Sequence, residues 1–253
     1  MNLFDISGKK AIVTGAAQGL ANGMAEGLME SGAEVCIIDI SKKTADVASE
    51  FCQKGYKCHA VNANLGDRDS LKAGFQEAVE KLGGQLDIII NAAGIQKRHF
   101  SEEFPIEDWD AVININLNAV FSLCQLAGQQ FIKQNSKGKI INIASMLSFF
   151  GGYTVPAYAA SKGGVAQLTK ALSNEWASKG INVNALAPGY MATEMNTALI
   201  ADETRNTEIL NRIPAKRWGT PNDMKGVAVF LSAPASDYLN GAIIPVDGGY
   251  LSR

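Results

Sequence analysis

Residues Lys9 to Ala21 read KKAIVTGAAQGLA, and this stretch decides the fold. Its first half is a short apolar run suited to a buried strand; its second half sets Gly15 and Gly19 among small residues and leads into a helical pattern. Glycine directly after a strand lets the chain turn tightly. Gly19 at the helix start allows backbone N–H groups and the positive end of the helix to converge on one point. That arrangement suits an anion of the pyrophosphate type, with Gln18 and Leu20 beside it and Ala21 small enough for the helix to lie on the strand. Glycines at strand–helix turns also arise for steric reasons alone, so the surrounding chain has to decide.

Working outward, the runs AEVCIID (33–39), KCHAVNA (57–63), LDIIINAAG (86–94), GKIINIAS (138–145) and INVNALAPG (181–189) are strand-like, with segments between them long enough for crossover helices. Near-continuous apolar strands are expected where helices cover both faces of a parallel sheet. AIIPVD (242–247) supplies a seventh strand at one edge. The expected fold is a single-domain, Rossmann-type doubly wound α/β structure over residues 1–253, with a mostly parallel seven-stranded sheet. A helical stretch around 190–215 has no place in that sheet and reads as an insertion able to close over a ligand.

Composition excludes several classes of partner. With 47% hydrophobic residues, 19% charged residues and a net charge of −2, the chain carries no electrostatic footprint for nucleic acid or a membrane surface. Cys36, Cys52, Cys58 and Cys124 match no zinc or redox spacing and read as small core hydrophobes in a reducing compartment. Two histidines without ligand spacing make no metal site; His59 reads as structural and His99 as a weak substrate contact. No signal-like amino terminus and no stretch of membrane-spanning length are evident, so a cytoplasmic protein is expected.

Two further features bear on chemistry. Asp39 ends the second strand, 24 residues after Gly15, where a carboxylate can accept from ribose hydroxyls and repel a 2′-phosphate. NAD is therefore expected over NADP, although Lys42 and Lys43 leave a 2′-phosphate partner open and Asp39 could instead cap the next helix. In YAASK (158–162), Tyr158 and Lys162 stand four apart on one helical face, where a cation would favour tyrosinate. Taken alone, such a pair is more often packing plus a solvated charge.

These marks together resemble the short-chain dehydrogenase/reductase family: TGAAQGLA, NAAG at Asn91 to Gly94, WDAVININL carrying Asn116, IINIAS ending at Ser145, YAASK thirteen residues on, and APGYMAT ending at Thr193. The resemblance implies Tyr158 as general acid/base and Lys162 as its cationic neighbour and ribose contact. It also implies Ser145 as donor to the substrate oxygen and Asn116 as holder of a water leading from Lys162 to solvent. It implies cofactor contacts at Asn64, Leu65, Asn91, Ala92, Gly94, Pro188, Gly189 and Thr193, and a homotetramer. The stretches INIASMLSFFGG, RIPAKRWGTP, VDGGYLSR and AGIQKRHFSEEFP are similar to those of members acting on six-carbon sugar acids of the deoxygluconate and gluconate types. Gln96, Arg98 and Arg217 are then expected substrate contacts beside Ser145 and Tyr158, the arginines for a carboxylate. A 3-oxoacyl thioester reductase and a non-catalytic cofactor-binding partner protein are the rival readings.

Overall fold

Alternation along the strands builds two cores. In β1 (Lys10–Thr14) the side chain of Ile12 enters one core while Ala11 and Val13 enter the other; in β4 (Ile88–Asn91) Ile89 divides in the same way from Ile88 and Ile90. A sheet apolar on both faces has to be covered on both. The computed structural model, which describes residues 2–252, shows this arrangement; Met1 and Arg253, the latter the end of VDGGYLSR, lie outside those residues.

The other strands are β2 (Glu34–Asp39), β3 (Cys58–Asn62), β5 (Gly138–Ile143), β6 (Ile181–Pro188) and β7 (Ile243–Val246). They form one seven-stranded sheet in the order β3-β2-β1-β4-β5-β6-β7, every neighbouring pair parallel. The order reverses between β1 and β4, and the carboxyl ends of these two strands therefore border the crevice where open α/β sheets take ligands.

Helices α1 (Gly19–Glu30) and α2 (Thr44–Gln53) supply Met24, Leu28 and Phe51 to one core; α3 (Arg68–Lys81) supplies Leu71 and Phe75 to the other. Next come α4 (Ile106–Ile113), a π-helical turn over Asn114–Asn118, and α5 (Ala119–Gln134). Together these span Ile106–Gln134, with a mean hydropathy of 1.4 over an 18-residue window, so one stretch is long and apolar enough to cross a membrane, contrary to the sequence expectation. Its apolar excess has an internal use: Val120, Leu123, Ala127 and Phe131 pack on the sheet. Helix α6 (Pro156–Trp176) covers the same face through Val165 and Leu172.

After β6 the chain leaves the sheet for a 3₁₀ turn (Glu194–Asn196), α7 (Thr197–Ala201) and α8 (Glu203–Arg212), then returns through α9 (Pro221–Ser232), which packs on α1. All four cysteines are free; Cys36, Cys58 and Cys124 are buried, which pushes their thiols up to about 12, and Cys52 is exposed. Inert, small and apolar is how the buried three behave.

Candidate active site

The phosphate turn shows why glycine is needed at its first position. Gly15 has φ of +72°, and a Cβ there would lie 2.7 Å from Cα of Ala93 in the turn after β4. Thr14 joins the same two turns, its Oγ1 accepting from the N–H groups of Ala92 (3.0 Å) and Ala93 (3.2 Å). Gln18 at the N-cap of α1 makes no side-chain cap bond, so the first N–H groups of that helix have no local side-chain acceptor. Here the chain offers backbone donors to an anion.

A cavity of about 740 Å³ opens from this turn across the carboxyl ends of the strands. Of the residues named from sequence, Gly15, Gln18, Gly19, Leu20, Asp39, Asn64, Leu65, Ala92, Gly94, Ser145, Tyr158, Lys162, Pro188, Gly189 and Thr193 line it. Its size and mixed lining suit a dinucleotide with a small substrate beside it. Ile40, Ile95, Ile115, Met191 and Met195 also line it and were not singled out, because an apolar residue beside a strand end looks like core in a sequence.

Asp39 does not cap α2. Its carboxylate accepts from the N–H groups of Ala17 (3.0 Å) and Ser41 (2.9 Å), tying the phosphate turn to the end of β2 with an oxygen edge toward the cavity. Asn64 folds its Oδ1 onto the N–H of Gly66 (3.0 Å) in an Asx turn, leaving one lone pair on that oxygen. Asn91 turns away from the cavity: its amide donates to Oδ1 of Asn142 (2.9 Å) and packs on Cys124, because as the last residue of β4 it takes the face covered by α5. Asn91 does not line the cavity; Ala92 to Gly94, the residues after it, do.

The catalytic bank is held in place by the ends of β4 and β5 and by α6. Asn116, in the π-turn and fully buried, accepts from the N–H of Ile95 (2.9 Å) and donates to its carbonyl (2.9 Å) and to Ser161 Oγ (3.3 Å). Its side chain staples the Gly94–Ile95 turn to the helix, with both amide hydrogens donated and one lone pair left on its oxygen. Ser145, two residues beyond β5, caps the 3₁₀ turn Met146–Ser148 and accepts from the Leu147 N–H (3.1 Å). That contact leaves the hydroxyl proton for donation, and Ser145 lowers the pKa of the Tyr158 phenol against the effect of burial. Ser148 joins Ser145 to α6, accepting from the Ser145 N–H and donating to the Lys162 carbonyl (2.7 Å).

Lys162 is 4% exposed and donates to the carbonyl of Ile143 (2.5 Å), its Nζ lying 5.6 Å from the centre of the Tyr158 ring. Burial draws the ammonium down to about 8. On the phenol itself, burial raises the pKa and the Ser145 hydrogen bond works against it. The sequence expectation has Lys162, together with an oxidised nicotinamide, pulling the phenol down; in the structure the ammonium turns to the Ile143 carbonyl, and Ser145 is the side chain that lowers the phenol's pKa.

The residues expected to hold substrate are not all brought together. Gln96 and Arg98 follow the cavity-lining Ile95 in sequence but do not line the cavity; Arg98 is exposed and donates to the Tyr153 carbonyl (3.4 Å) and Thr154 Oγ1 (3.2 Å). His99 bonds Asp108 (2.7 Å), and His59 bonds Glu34 (2.8 Å) near the far edge of the sheet. Arg217 forms a two-pronged contact with Asp223 (2.8 and 2.6 Å), so its guanidinium already serves a carboxylate at the start of α9.

Comparison with known proteins agrees with this geometry. The family model described as enoyl-(acyl carrier protein) reductase matches residues 15–251. The chain is 47% identical over 253 residues to 2-dehydro-3-deoxy-D-gluconate 5-dehydrogenase of Escherichia coli, covering all of this chain and 99% of that one. A solved 2-deoxy-D-gluconate 3-dehydrogenase of Agrobacterium tumefaciens, described as putative and holding NADP, superposes with a TM-score of 0.92 at 44% identity over the full length of both. A gluconate 5-dehydrogenase of Burkholderia cenocepacia in complex with NADP and tartrate does so with a TM-score of 0.95 at 38% identity, over 100% of this chain and 98% of that one. The chain thus belongs to the short-chain dehydrogenase/reductase family, as a nicotinamide-dependent enzyme acting on CH–OH groups.

Proposed function

We propose that the protein oxidises or reduces a hydroxyl or keto group of a six-carbon sugar acid, of the 2-dehydro-3-deoxy-D-gluconate or 2-deoxy-D-gluconate type, with NAD preferred. The observation that carries the reading is Ser145, Tyr158 and the buried Lys162 lining one cavity with the phosphate turn. The identity to a deoxygluconate enzyme over the whole chain supports the substrate class.

A bound nicotinamide supplies or accepts the hydride at carbon. The chain's own residues handle the oxygen: Ser145 donates to it, holding it where charge develops, and Tyr158 gives or takes the proton at its hydroxyl. Lys162, neutral or charged near pH 8, lowers the cost of an anionic phenol and reaches the cofactor ribose. Asp39 favours the ribose diol of NAD by accepting from it. Asn64, Gly94, Pro188, Gly189 and Thr193 line the rest of the nucleotide path, and Gln96 and Arg98 contact the substrate. The 190–215 insertion closes over that substrate. We further read the enzyme as a cytoplasmic homotetramer, which sedimentation of the purified protein would check.

Gluconate 5-dehydrogenase is the second reading, favoured by the relative that holds tartrate, a small hydroxy acid. Assaying purified protein against deoxygluconates, gluconates and their keto forms with both nucleotides separates the two. Activity confined to 3-oxoacyl thioesters, or to none of these, would sink both.

A further inference from the structure

The arginines on and beside the insertion have different partners. Arg205 pairs with Glu208 (3.0 Å) one turn along α8, and Arg217 is clasped by Asp223. Arg212, the last residue of α8, has no carboxylate partner among the described residues; its guanidinium instead lies 4.9 Å over the ring of Tyr250. An arginine stacked on a ring is oriented by the ring's face, while its N–H donors stay in the guanidinium plane, available to an acceptor at the edge.

The ring beneath Arg212 is tied to the catalytic bank. Tyr250 is buried and meets Tyr190 edge-on (centroids 5.5 Å) and Phe150 stacked (5.9 Å), while Tyr190 meets Trp218 edge-on (5.5 Å). Tyr190 follows Gly189 of the cavity wall. Tyr250 shares a small apolar cluster with Met146, which follows Ser145, and with Ile209 and Ile213 of the insertion. The aromatic group therefore runs from beside the reacting groups out to the insertion, and Arg212 stands at its outer end.

We infer that Arg212 anchors the carboxylate of the substrate and so determines the preference for an acid. The inference rests on the sugar-acid reading and adds the residue that would enforce it. A chain whose reacting carbon sits at Ser145 and Tyr158 carries its carboxylate several bonds away, and a fork-shaped cation with fixed orientation suits that terminus. Arg217, named from sequence for the same task, already has a carboxylate. Arg98 lies on the segment after β4, bonded to neutral oxygens.

The test compares wild type, Arg212→Ala, Arg212→Lys and Arg98→Ala on a six-carbon keto acid and on its primary amide, which keeps the shape and removes the charge. Thermal unfolding checks that the exposed substitution leaves the fold intact. Arg212→Ala is expected to lose roughly tenfold or more in kcat/KM on the acid, chiefly through KM, and less than about threefold on the amide. Arg212→Lys should recover part of the loss on the acid, and inhibition by tartrate should weaken in the alanine variant. A wild type that favours the acid while Arg212→Ala keeps that preference overturns Arg212 alone, as does loss of the preference only in Arg98→Ala. A wild type that treats acid and amide alike overturns both this assignment and the sugar-acid reading.

Discussion

The catalytic bank and the insertion after β6 are anchored in opposite ways. On the bank, Asn116, Ser145 and Lys162 are buried, and their polar atoms meet the main chain at Ile95, Leu147 and Ile143. On the insertion, α7 buries no residue and α8 buries only Ile209; the small cluster around Tyr250 and the Trp218 Nε1–H donated to Asn206 Oδ1 (2.7 Å) link it to the body. Moving the bank would break buried hydrogen bonds of the sheet ends; moving the insertion would separate a few apolar contacts and a part-buried hydrogen bond from Trp218 to Asn206. The groups proposed to set the rate thus sit where the fold fixes geometry, and those proposed to choose the substrate sit where it is cheapest to open and close.

The sharpest way to break this comparison is at Tyr158. Tyr158→Phe removes the transferable proton and almost no volume, so kcat is expected to fall by about 10²–10⁴-fold. Nucleotide binding, followed by nicotinamide fluorescence, should stay within a few-fold of wild type. More than a tenth of the activity remaining would take the acid/base role from Tyr158 and leave the bank without its reactive group.

Lys162 tests whether burial on the bank carries a stability cost. Its pKa is lowered from 10.5 to about 8, so below pH 8 the folded state holds an ammonium it disfavours, and above 10.5 neither state is charged. Between those limits the unfolded chain binds more protons, and stability rises with pH. Relative to Lys162→Met, which never titrates, wild type should gain about 3 kcal/mol across that window. Urea unfolding of both proteins at several pH values from 7.5 upward measures it; a constant difference would mean that the ammonium is not destabilised by its site. Activity of Lys162→Met should be depressed throughout.

The cofactor end of the cavity gives a smaller effect. Asp39→Asn removes the charge and keeps one oxygen, so only one of the Ala17 and Ser41 N–H groups, each held by a different carboxylate oxygen in wild type, retains its acceptor. The ratio of NAD to NADP binding constants is expected to fall by roughly tenfold, the scale of one charge-assisted hydrogen bond. An unchanged ratio would make Asp39 a tie for the phosphate turn and nothing more, and would fit the relatives that hold NADP.

How far the sequence could be read follows the same division. Strand runs such as DIII and KIINI are legible because burial on both faces demands continuous apolar residues, and the Gly15 turn is legible because Ala93 leaves no room for a Cβ. Ser145, Tyr158 and Lys162 are legible only through the family resemblance that IINIAS and YAASK carry, since the Tyr–Lys pair taken alone reads as packing plus a solvated charge. The direction of Asn91 was not, since a single residue's side of the sheet depends on where the strand ends. Nor was the partner of Arg217. Arg212 and Arg217 lie five residues apart in RIPAKRWG, and only tertiary structure shows that Asp223 clasps one while Tyr250 lies under the other.

That last pair gives the smallest expected effect and the cleanest control. Asp223 accepts from both prongs of Arg217 and also from the N–H and hydroxyl of Thr220, closing the N-terminus of α9 as a capping box. Arg217 holds that carboxyl well below the usual carboxylate range, so the pairing persists at any pH where the enzyme would be assayed. If its role is to brace this cap, Arg217→Ala should leave the ratio of kcat/KM for acid over amide within about twofold of wild type, because no charge facing the substrate has changed. Asp223→Ala should lower the unfolding midpoint further than Arg217→Ala does, since it removes the cap as well as the pair. A loss in Arg217→Ala confined to the acid would place Arg217 in the substrate site and return the carboxylate to the position first read from the sequence.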